Sequence, residues 1–230
     1  MKAFILAGGF GTRLREVIHG RPKALAVVQG RPFLEHIIRY LRTQGIVEIV
    51  LGVGYLANYV RDTFGDGQAL GVKIQYSEED RPLGTAGAIK NAAKFFAHDF
   101  LVLNGDTYVD VDLKELNFFH SDRKADVTIV TTTKYHGRGG LIQTNKKGRV
   151  TSFEEHSQKK NRGYNNTGFY LFSPKILKLM RSNERSFLEK DLFPLLLKKK
   201  HRVFAFDAGC DFIDIGSPQR YKEAKQLLKV

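Results

Sequence analysis

The chain of 230 residues has a single cysteine, Cys210, so it cannot form an internal disulfide and needs no oxidising compartment. Its seven histidines, at positions 19, 36, 98, 120, 136, 156 and 201, show neither HxxxH nor CxxH spacing, and zinc is unsupported. No serine sits in a GxSxG elbow, and Cys210 has no evident catalytic partner. No run approaches the roughly 20 apolar residues of a membrane span, and the N-terminal apolar stretch stops too early for a signal-peptide core. Prolines number only 6, with no repeat, linker or low-complexity segment. These absences predict one cytoplasmic α/β domain, residues 1–230, without a nucleophile of its own.

Positive charge is plentiful: 37 Lys and Arg against 24 Asp and Glu, a formal charge of +13. Nucleic acid, a substrate with several phosphates and a plain solvated basic face all fit such a surface. The runs Lys198-Lys-Lys-His-Arg202 and Lys159-Lys-Asn-Arg162 lack the interleaved aromatics of a base-stacking platform. The first follows apolar Leu192-Phe-Pro-Leu-Leu-Leu197, as at a helix C-terminus, where cations favour the dipole. Neither nucleic acid nor membrane is therefore the expected partner.

Glycine is concentrated where it can matter. Ala3-Phe-Ile-Leu-Ala-Gly-Gly-Phe-Gly-Thr-Arg-Leu14 is an apolar run broken by Gly8, Gly9 and Gly11 and then turning basic at Arg13, with Arg21-Pro-Lys23 following. A buried strand ending in bare backbone amides suits a phosphate, whose charge Arg13 and Lys23 would neutralise. The glycines alone also fit an ordinary strand-to-helix turn, and the loop is neither a Walker A box nor a GxGxxG fingerprint.

Periodicity predicts a helix at 32–45, a strand at 48–53, a helix at 56–64, a strand at 72–77, a helix at 84–96 and a strand at 100–103. Such alternation argues a Rossmann-like, mostly parallel mixed sheet covered by helices on both faces. Ligands then gather at the carboxyl ends of the strands. Three loops fall there: Gly8 to Arg13, Glu79 to Gly87, and Asn104 to Thr107. The second half reads as strands at 126–132, 140–144, 150–153, 167–172, 202–206 and 211–215. Helices are expected at 174–181, 187–199 and from 218 to the end, with a polar loop from Glu154 to Asn166.

Asp106 ends an apolar strand, and Asp214 lies in Phe212-Ile-Asp-Ile215. Two carboxylates near a phosphate loop suit Mg²⁺, although either alone also reads as a turn aspartate. Without a protein nucleophile, one substrate would attack another, with positioning and charge neutralisation supplying the catalysis.

Leu6-Ala-Gly-Gly-Phe-Gly-Thr-Arg-Leu14, Arg21-Pro-Lys23, Pro82-Leu-Gly-Thr-Ala-Gly-Ala88, Asn104-Gly-Asp106, Asn166-Thr-Gly-Phe-Tyr170 and Asp214-Ile-Gly-Ser-Pro218 together resemble the sugar-1-phosphate nucleotidyltransferases. The resemblance implies that a sugar 1-phosphate attacks the α-phosphorus of a nucleoside triphosphate and releases pyrophosphate. Leu6, Ala7, Gly8, Gly9, Gly11 and Thr12 would then line the nucleotide, with Gly84 and Thr85. Arg13 and Lys23 would act on the phosphates, and Asp106 and Asp214 would hold Mg²⁺.

Glu79 aligns with a position where pyrimidine-specific relatives look to carry Gln. A carboxylate there can accept two hydrogen bonds from the N1–H and N2–H₂ of guanine; the run Glu78-Glu-Asp80 also fits a solvated acidic face. Pro82-Leu-Gly-Thr-Ala-Gly87 looks like the guanylyltransferase form. Within that branch Phe187-Leu-Glu-Lys-Asp-Leu192 is similar to the heptose 1-phosphate enzymes, with mannose 1-phosphate guanylyltransferases as rival. GTP and a sugar 1-phosphate are thus the implied partners, and a homo-oligomer is compatible with the sequence.

One departure stands out. Where the family usually reads Phe-x-Glu-Lys-Pro, this chain has Phe153-Glu-Glu-His-Ser157. The resemblance gives the sugar phosphate to Glu155, His156, Asn166 and Thr167, with His156 in the lysine position and Lys159 or Lys160 able to reach in instead. His titrates near neutrality and anchors phosphate less firmly than Lys. His156→Lys is therefore expected to leave activity near pH 8 equal or higher; a large rise in KM for the sugar phosphate contradicts this.

Overall fold

The computed structural model describes residues 1–9, 11, 14, 18, 20–134, 140–154, 163–209 and 212–228. In chain order the strands and helices begin as β1 (Lys2–Leu6), β2 (Val27–Val28), β3 (Arg31–Pro32), α1 (Phe33–Thr43), β4 (Glu48–Val53), α2 (Ala57–Phe64) and β5 (Lys73–Glu78). Next come α3 (Gly84–Asn91), β6 (Phe100–Asn104), β7 (Thr107–Val109), α4 (Leu113–Asp122), β8 (Val127–Thr132), β9 (Leu141–Thr144) and β10 (Val150–Glu154). The chain continues with β11 (Tyr164–Phe172), α5 (Phe193–Lys198), β12 (Val203–Asp207), β13 (Phe212–Asp214) and α6 (Pro218–Leu227). Contacts divide it into two compact units: Met1–Pro82, Leu103–Tyr108 and Ile213–Val230 form the first, and Leu83–Val102 and Val109–Phe212 the second.

In the first unit β1 pairs in parallel with β4, and β4 with β5. Parallel strands joined by helices are buried on both faces, which is why β1 and β4 are continuously apolar rather than alternating. Ala3, Phe4 and Ile5 have no exposed surface. A Cβ on Gly52 would stand 2.6 Å from the Phe4 ring, so β4 carries no side chain where that ring lies. Helix α1 buries Phe33, Leu34, Ile37, Ile38 and Leu41, positions that recur every three or four residues.

The second unit is mixed. Strand β8 runs antiparallel to β11 and parallel to β12, while β9 lies antiparallel to both β11 and β10. Its core is aromatic: Phe96 stacks on Phe100 at 4.1 Å, Phe100 meets Phe172 at 5.9 Å, and Tyr170 contacts Phe172 and Phe193 at 5.8 and 5.5 Å. The α/β class with a mixed sheet agrees with the sequence reading.

Helix α4 and strand β7 were not expected. The signal for α4 was nevertheless local, because Asp112 accepts the N–H groups of Lys114 at 2.7 Å and Glu115 at 3.2 Å as an N-cap. The helix expected at 174–181 is instead a 3₁₀ segment, Pro174–Leu179, whose Leu177 carbonyl accepts from Lys90 Nζ at 2.9 Å. The helix expected at 187–199 opens on a π turn, Leu188–Leu192, in which Leu192 N–H reaches Phe187 O at 3.1 Å, before α5 begins. Strand β11 starts three residues early, because a register shift between Asn166 and Phe169 lets the strand pair with β9 as well as β8.

The basic run after α5 has a structural task. His201 Nδ1 lies 2.8 Å from Asp126 Oδ2, the Arg202 amide donates to the same oxygen at 2.9 Å, and Lys175 pairs with Oδ1. Burial alone would raise the pKa of Asp126, but the hydrogen bonds from Lys175, Arg202 and His201 outweigh it and hold the carboxyl below its ordinary value. Such a group stabilises the fold above its unfolded pKa of 3.8 and loses that effect as pH falls through the lower folded value. Asp126→Asn is expected to cost about 2 kcal/mol at pH 7, since cations left beside a neutral amide lose most of their partner. By urea unfolding the deficit should shrink as pH drops below 3.8; a constant deficit down to about pH 2.5 contradicts this account.

Candidate active site

The first unit gathers its candidate residues where β1, β4 and β5 end. The Ala7 N–H donates to Gly52 O at 2.8 Å, and the Glu79 N–H to Val53 O at 2.9 Å, so the chain leaves the three strands at one level. A side-chain carbon on Gly8 would stand 3.1 Å from Gly54 N and 3.6 Å from Glu79 Oε1. Glu79 is therefore directed at the glycine loop. Its neighbour Glu78 points elsewhere and accepts from Arg61 at 2.5 Å on the exposed side. Strand alternation separates two acids that look equivalent in sequence.

Lys23 heads a 3₁₀ turn, Lys23–Leu25, entered from the extended backbone of Pro22. The loop returns over it: a Cβ on Gly11 would lie 3.0 Å from Lys23 Cβ. The Lys23 ammonium pairs with Asp106 Oδ2, and both are part-buried.

Asp106 is seated by Gly105. The Gly105 N–H donates to Leu6 O at 2.9 Å, and any Cβ there would sit 2.7 Å from that same oxygen, closer than real Cβ atoms come. Only glycine lets the turn close on the end of β1. The Asp106 carbonyl in turn accepts the Ile215 N–H at 3.0 Å, tying in the segment that carries Asp214. Thr107 Oγ1 lies 3.2 Å from Asp106 Oδ1.

Asp214 is largely buried. Its Oδ1 accepts the Gly216 N–H at 2.8 Å, and its Oδ2 pairs with Arg220 on α6. Burial raises the pKa of Asp214, and the nearby Asp106 charge adds to the rise; the Gly216 amide, Arg220 and Lys23 oppose it without cancelling it. Among the described residues no three His, Cys, Asp or Glu side chains form a metal cage. The donor set is two hard, mutually repelling carboxylates. That fits Mg²⁺, which uses few protein carboxylates and completes its shell with water and phosphate oxygens.

In the second unit Gly84 adopts φ +73°, and a Cβ there would lie 2.4 Å from Ser186 O. The amides of Ala86 and Gly87, in the first turn of α3, donate to that same carbonyl at 3.0 and 3.2 Å. Thr85 Oγ1 accepts the Leu188 N–H at 2.8 Å. The Gly84–Thr85 turn thus holds the 186–188 segment in place.

Asn166 lies at the β11 bulge, its Nδ2 donating to Tyr170 Oη at 2.8 Å; Tyr170 Oη in turn is 3.3 Å from Glu189 Oε1. Complete burial, reinforced by the Glu189 charge, raises the Tyr170 pKa well above the ordinary phenol value, so the hydroxyl stays protonated. Thr167 is 2% exposed and donates its hydroxyl to Val130 O at 2.8 Å. Thr12, Arg13, Glu155, His156, Lys159, Lys160 and Cys210 lie outside the described residues.

Lys23, Asp106 and Asp214, far apart in sequence, thus stand together around the end of β1. A family model described as nucleotidyl transferase matches residues 2–229. The chain belongs to the nucleotidyl transferase family. It is 40% identical over 221 residues to the D-glycero-alpha-D-manno-heptose 1-phosphate guanylyltransferase of Campylobacter jejuni, covering 96% of this chain and 97% of that one. The enzyme of the same name from Aneurinibacillus thermoaerophilus is 38% identical, with 100% and 99% covered. A crystal structure of HddC from Yersinia pseudotuberculosis complexed with GMP-PN is similar with a TM-score of 0.84 and 34% identity, covering 99% of each chain.

Sequence reasoning missed Arg220, and it carried Gly105 and Tyr170 only inside motifs, without the contacts they make. Arg220 had a signal: Ser217-Pro218 opens a helix, and a residue in its first turn can reach back to Asp214. Tyr170 stood in the Asn166–Tyr170 motif, but its contact with Glu189 had no signal, because that partner is distant in sequence. For this nucleotidyl transferase the Gly105 contact makes a direct prediction. Gly105→Ala should lower stability by about 2 kcal/mol or more through the clash with Leu6 O. Gly9→Ala, where no described atom lies within 4 Å, should cost far less. Equal melting temperatures for the two variants contradict the seating of Asp106 by Gly105.

Proposed function

We propose that the protein transfers GMP from GTP to D-glycero-alpha-D-manno-heptose 1-phosphate, forming GDP-heptose and pyrophosphate, in the cytoplasm and for cell-surface polysaccharide synthesis. The observation that carries this reading is the Lys23–Asp106 pair set beside Asp214 at the end of β1, next to a glycine loop faced by the Glu79 carboxylate. Near-full coverage of two heptose 1-phosphate guanylyltransferases supports the sugar, and a relative crystallised with GMP-PN supports the base. The reach of the family model across both units supports a single catalytic domain, 1–230.

A phosphate oxygen of the sugar 1-phosphate bonds to the α-phosphorus of GTP. The bond from that phosphorus to the β-phosphate bridging oxygen breaks, and its electron pair leaves with pyrophosphate. The nucleophile is already anionic, so no protein base is required. Positioning and charge neutralisation remain for the chain to supply.

The amides from Gly8 through Thr12 orient the phosphates, with Lys23 and Arg13 neutralising the charge that grows on the leaving group. Asp106 and Asp214 would hold Mg²⁺, which supplies further neutralisation of the α-phosphate and restrains its geometry. Glu79 accepts from guanine N1–H and N2–H₂, whereas a pyrimidine presents acceptors there. Gly84 and Thr85 are assigned to the nucleotide as well. Glu155, His156 and Asn166 serve the sugar phosphate, Asn166 being oriented by Tyr170, while Thr167, its buried hydroxyl donating to Val130 O, supports Asn166 from within β11.

A pyrophosphate-release assay of four nucleoside triphosphates against heptose, mannose and glucose 1-phosphates tests the whole reading. GTP with the heptose 1-phosphate should give the highest kcat/KM. Lys23→Ala and Asp106→Asn should each lower kcat by about 10²-fold or more. Glu79→Gln should lower kcat/KM for GTP about tenfold, because one charged acceptor is replaced by a donor. No turnover with any pair overturns the enzyme assignment, and a preference for UTP or dTTP removes Glu79 from its role.

A further inference from the structure

Each of the two central carboxylates already has a cation of its own. Lys23 pairs with Asp106, and Arg220 with Asp214. The arrangement around Asp214 is built rather than incidental. Ser217 Oγ accepts the Arg220 N–H at 3.4 Å, and Pro218 starts the helix, so the first turn of α6 carries Arg220 at a fixed distance behind Asp214. Gly216, between them, donates its amide to Asp214 Oδ1, and a Cβ on it would lie 2.8 Å from that oxygen. The turn therefore wraps the carboxylate closely. One oxygen is taken by a backbone amide and the other by a guanidinium.

A divalent cation approaching Asp214 competes with these donors for the carboxylate's lone pairs and, beside Arg220, for its negative charge. The Gly216 amide is part of the turn and cannot leave without unfolding it. The Arg220 side chain, 32% exposed and held by side-chain contacts rather than by the turn, is the donor that can yield. Charge balance points the same way. Two carboxylates with Lys23 and Arg220 sum to zero, and adding a divalent ion leaves an excess of two positive charges in a half-buried site. That excess is unfavourable until a polyanion arrives.

We propose that Arg220 is a positioning residue that acts as a latch on Asp214. It neutralises and orients this carboxylate while no metal is bound and competes with the divalent cation for Oδ2, so that the cation loads together with the triphosphate rather than before it. The latch rests on the reading above in which Asp106 and Asp214 hold the metal. It adds an order of events that the reaction itself does not require: in the nucleotide-free protein the cation affinity is held down by an internal competitor. Once triphosphate is present, the displaced Arg220 has phosphate charge to face.

The test is Mn²⁺ binding to the nucleotide-free protein, followed by the electron paramagnetic resonance signal of the free ion, for wild type, Arg220→Gln, Arg220→Lys and Asp214→Ala, each checked for native melting behaviour. Arg220→Gln should bind Mn²⁺ about tenfold tighter than wild type, since a charged competitor is removed. Arg220→Lys, which keeps the competing charge, should stay within about twofold of wild type, and Asp214→Ala should bind weaker still. A purely structural arginine would give the opposite sign, because its loss would loosen Asp214 and weaken the ion. Unchanged or weaker Mn²⁺ binding in Arg220→Gln, with Asp214→Ala still weakened, overturns the latch alone. Unchanged binding in Asp214→Ala overturns the metal assignment on which the latch rests.

Discussion

Asp106 is held by its backbone before its side chain does anything. The preceding Gly105 amide is bonded to the end of β1, its own carbonyl accepts from Ile215, and its carboxylate meets Lys23. Three segments distant in sequence are thereby fixed to one residue. The cost is that Gly105 can carry no side chain, since Leu6 O occupies the place of its Cβ. The charged half of the first unit's candidate centre follows from this knot: Lys23 is brought to a carboxylate, and Asp214 is brought near enough for the two acids to repel.

Repulsion between carboxylates is tolerable only when each is answered. Here Lys23 and Arg220 answer them one for one, and a bound divalent ion would replace that arrangement by another. The first unit is in this sense a balanced electrostatic system whose components are few and closely spaced. Its glycine loop adds amides that carry no net charge and can orient phosphate without disturbing the balance.

The second unit works by different means. Its sheet is mixed, and its core is a chain of aromatic rings from Phe96 to Phe193. Tyr170 shows how these connect: the ring packs against Phe172 and Phe193, while the hydroxyl reaches Asn166 and Glu189. Packing thus fixes a hydrogen bond, and the hydrogen bond fixes a candidate sugar-facing side chain. The Asp126 cluster does comparable work at the start of β8, turning part of a basic run into an internal counter-charge.

Much of the α/β pattern was local and therefore legible. Continuous apolar runs marked the parallel strands β1 and β4, helical spacing marked α1, and Ser217-Pro218 marked α6, because burial pattern and capping act within a few residues. Asp112 carried a cap signal of the same kind for α4. The motifs of the glycine loop, Asn104-Gly-Asp106 and Asp214 were also legible as candidates, since glycine beside charge at a strand end is a local feature. What the sequence could not decide was pairing. Which of Glu78 and Glu79 faces the glycine loop, which cation answers which aspartate, that Gly84 and Thr85 hold the 186–188 segment, and that Tyr170 reaches Glu189 all depend on contacts between distant segments. Local chemistry selects the kinds of residue a site requires; only the folded chain decides which of them meet, because distance through space is set by packing and not by position along the sequence.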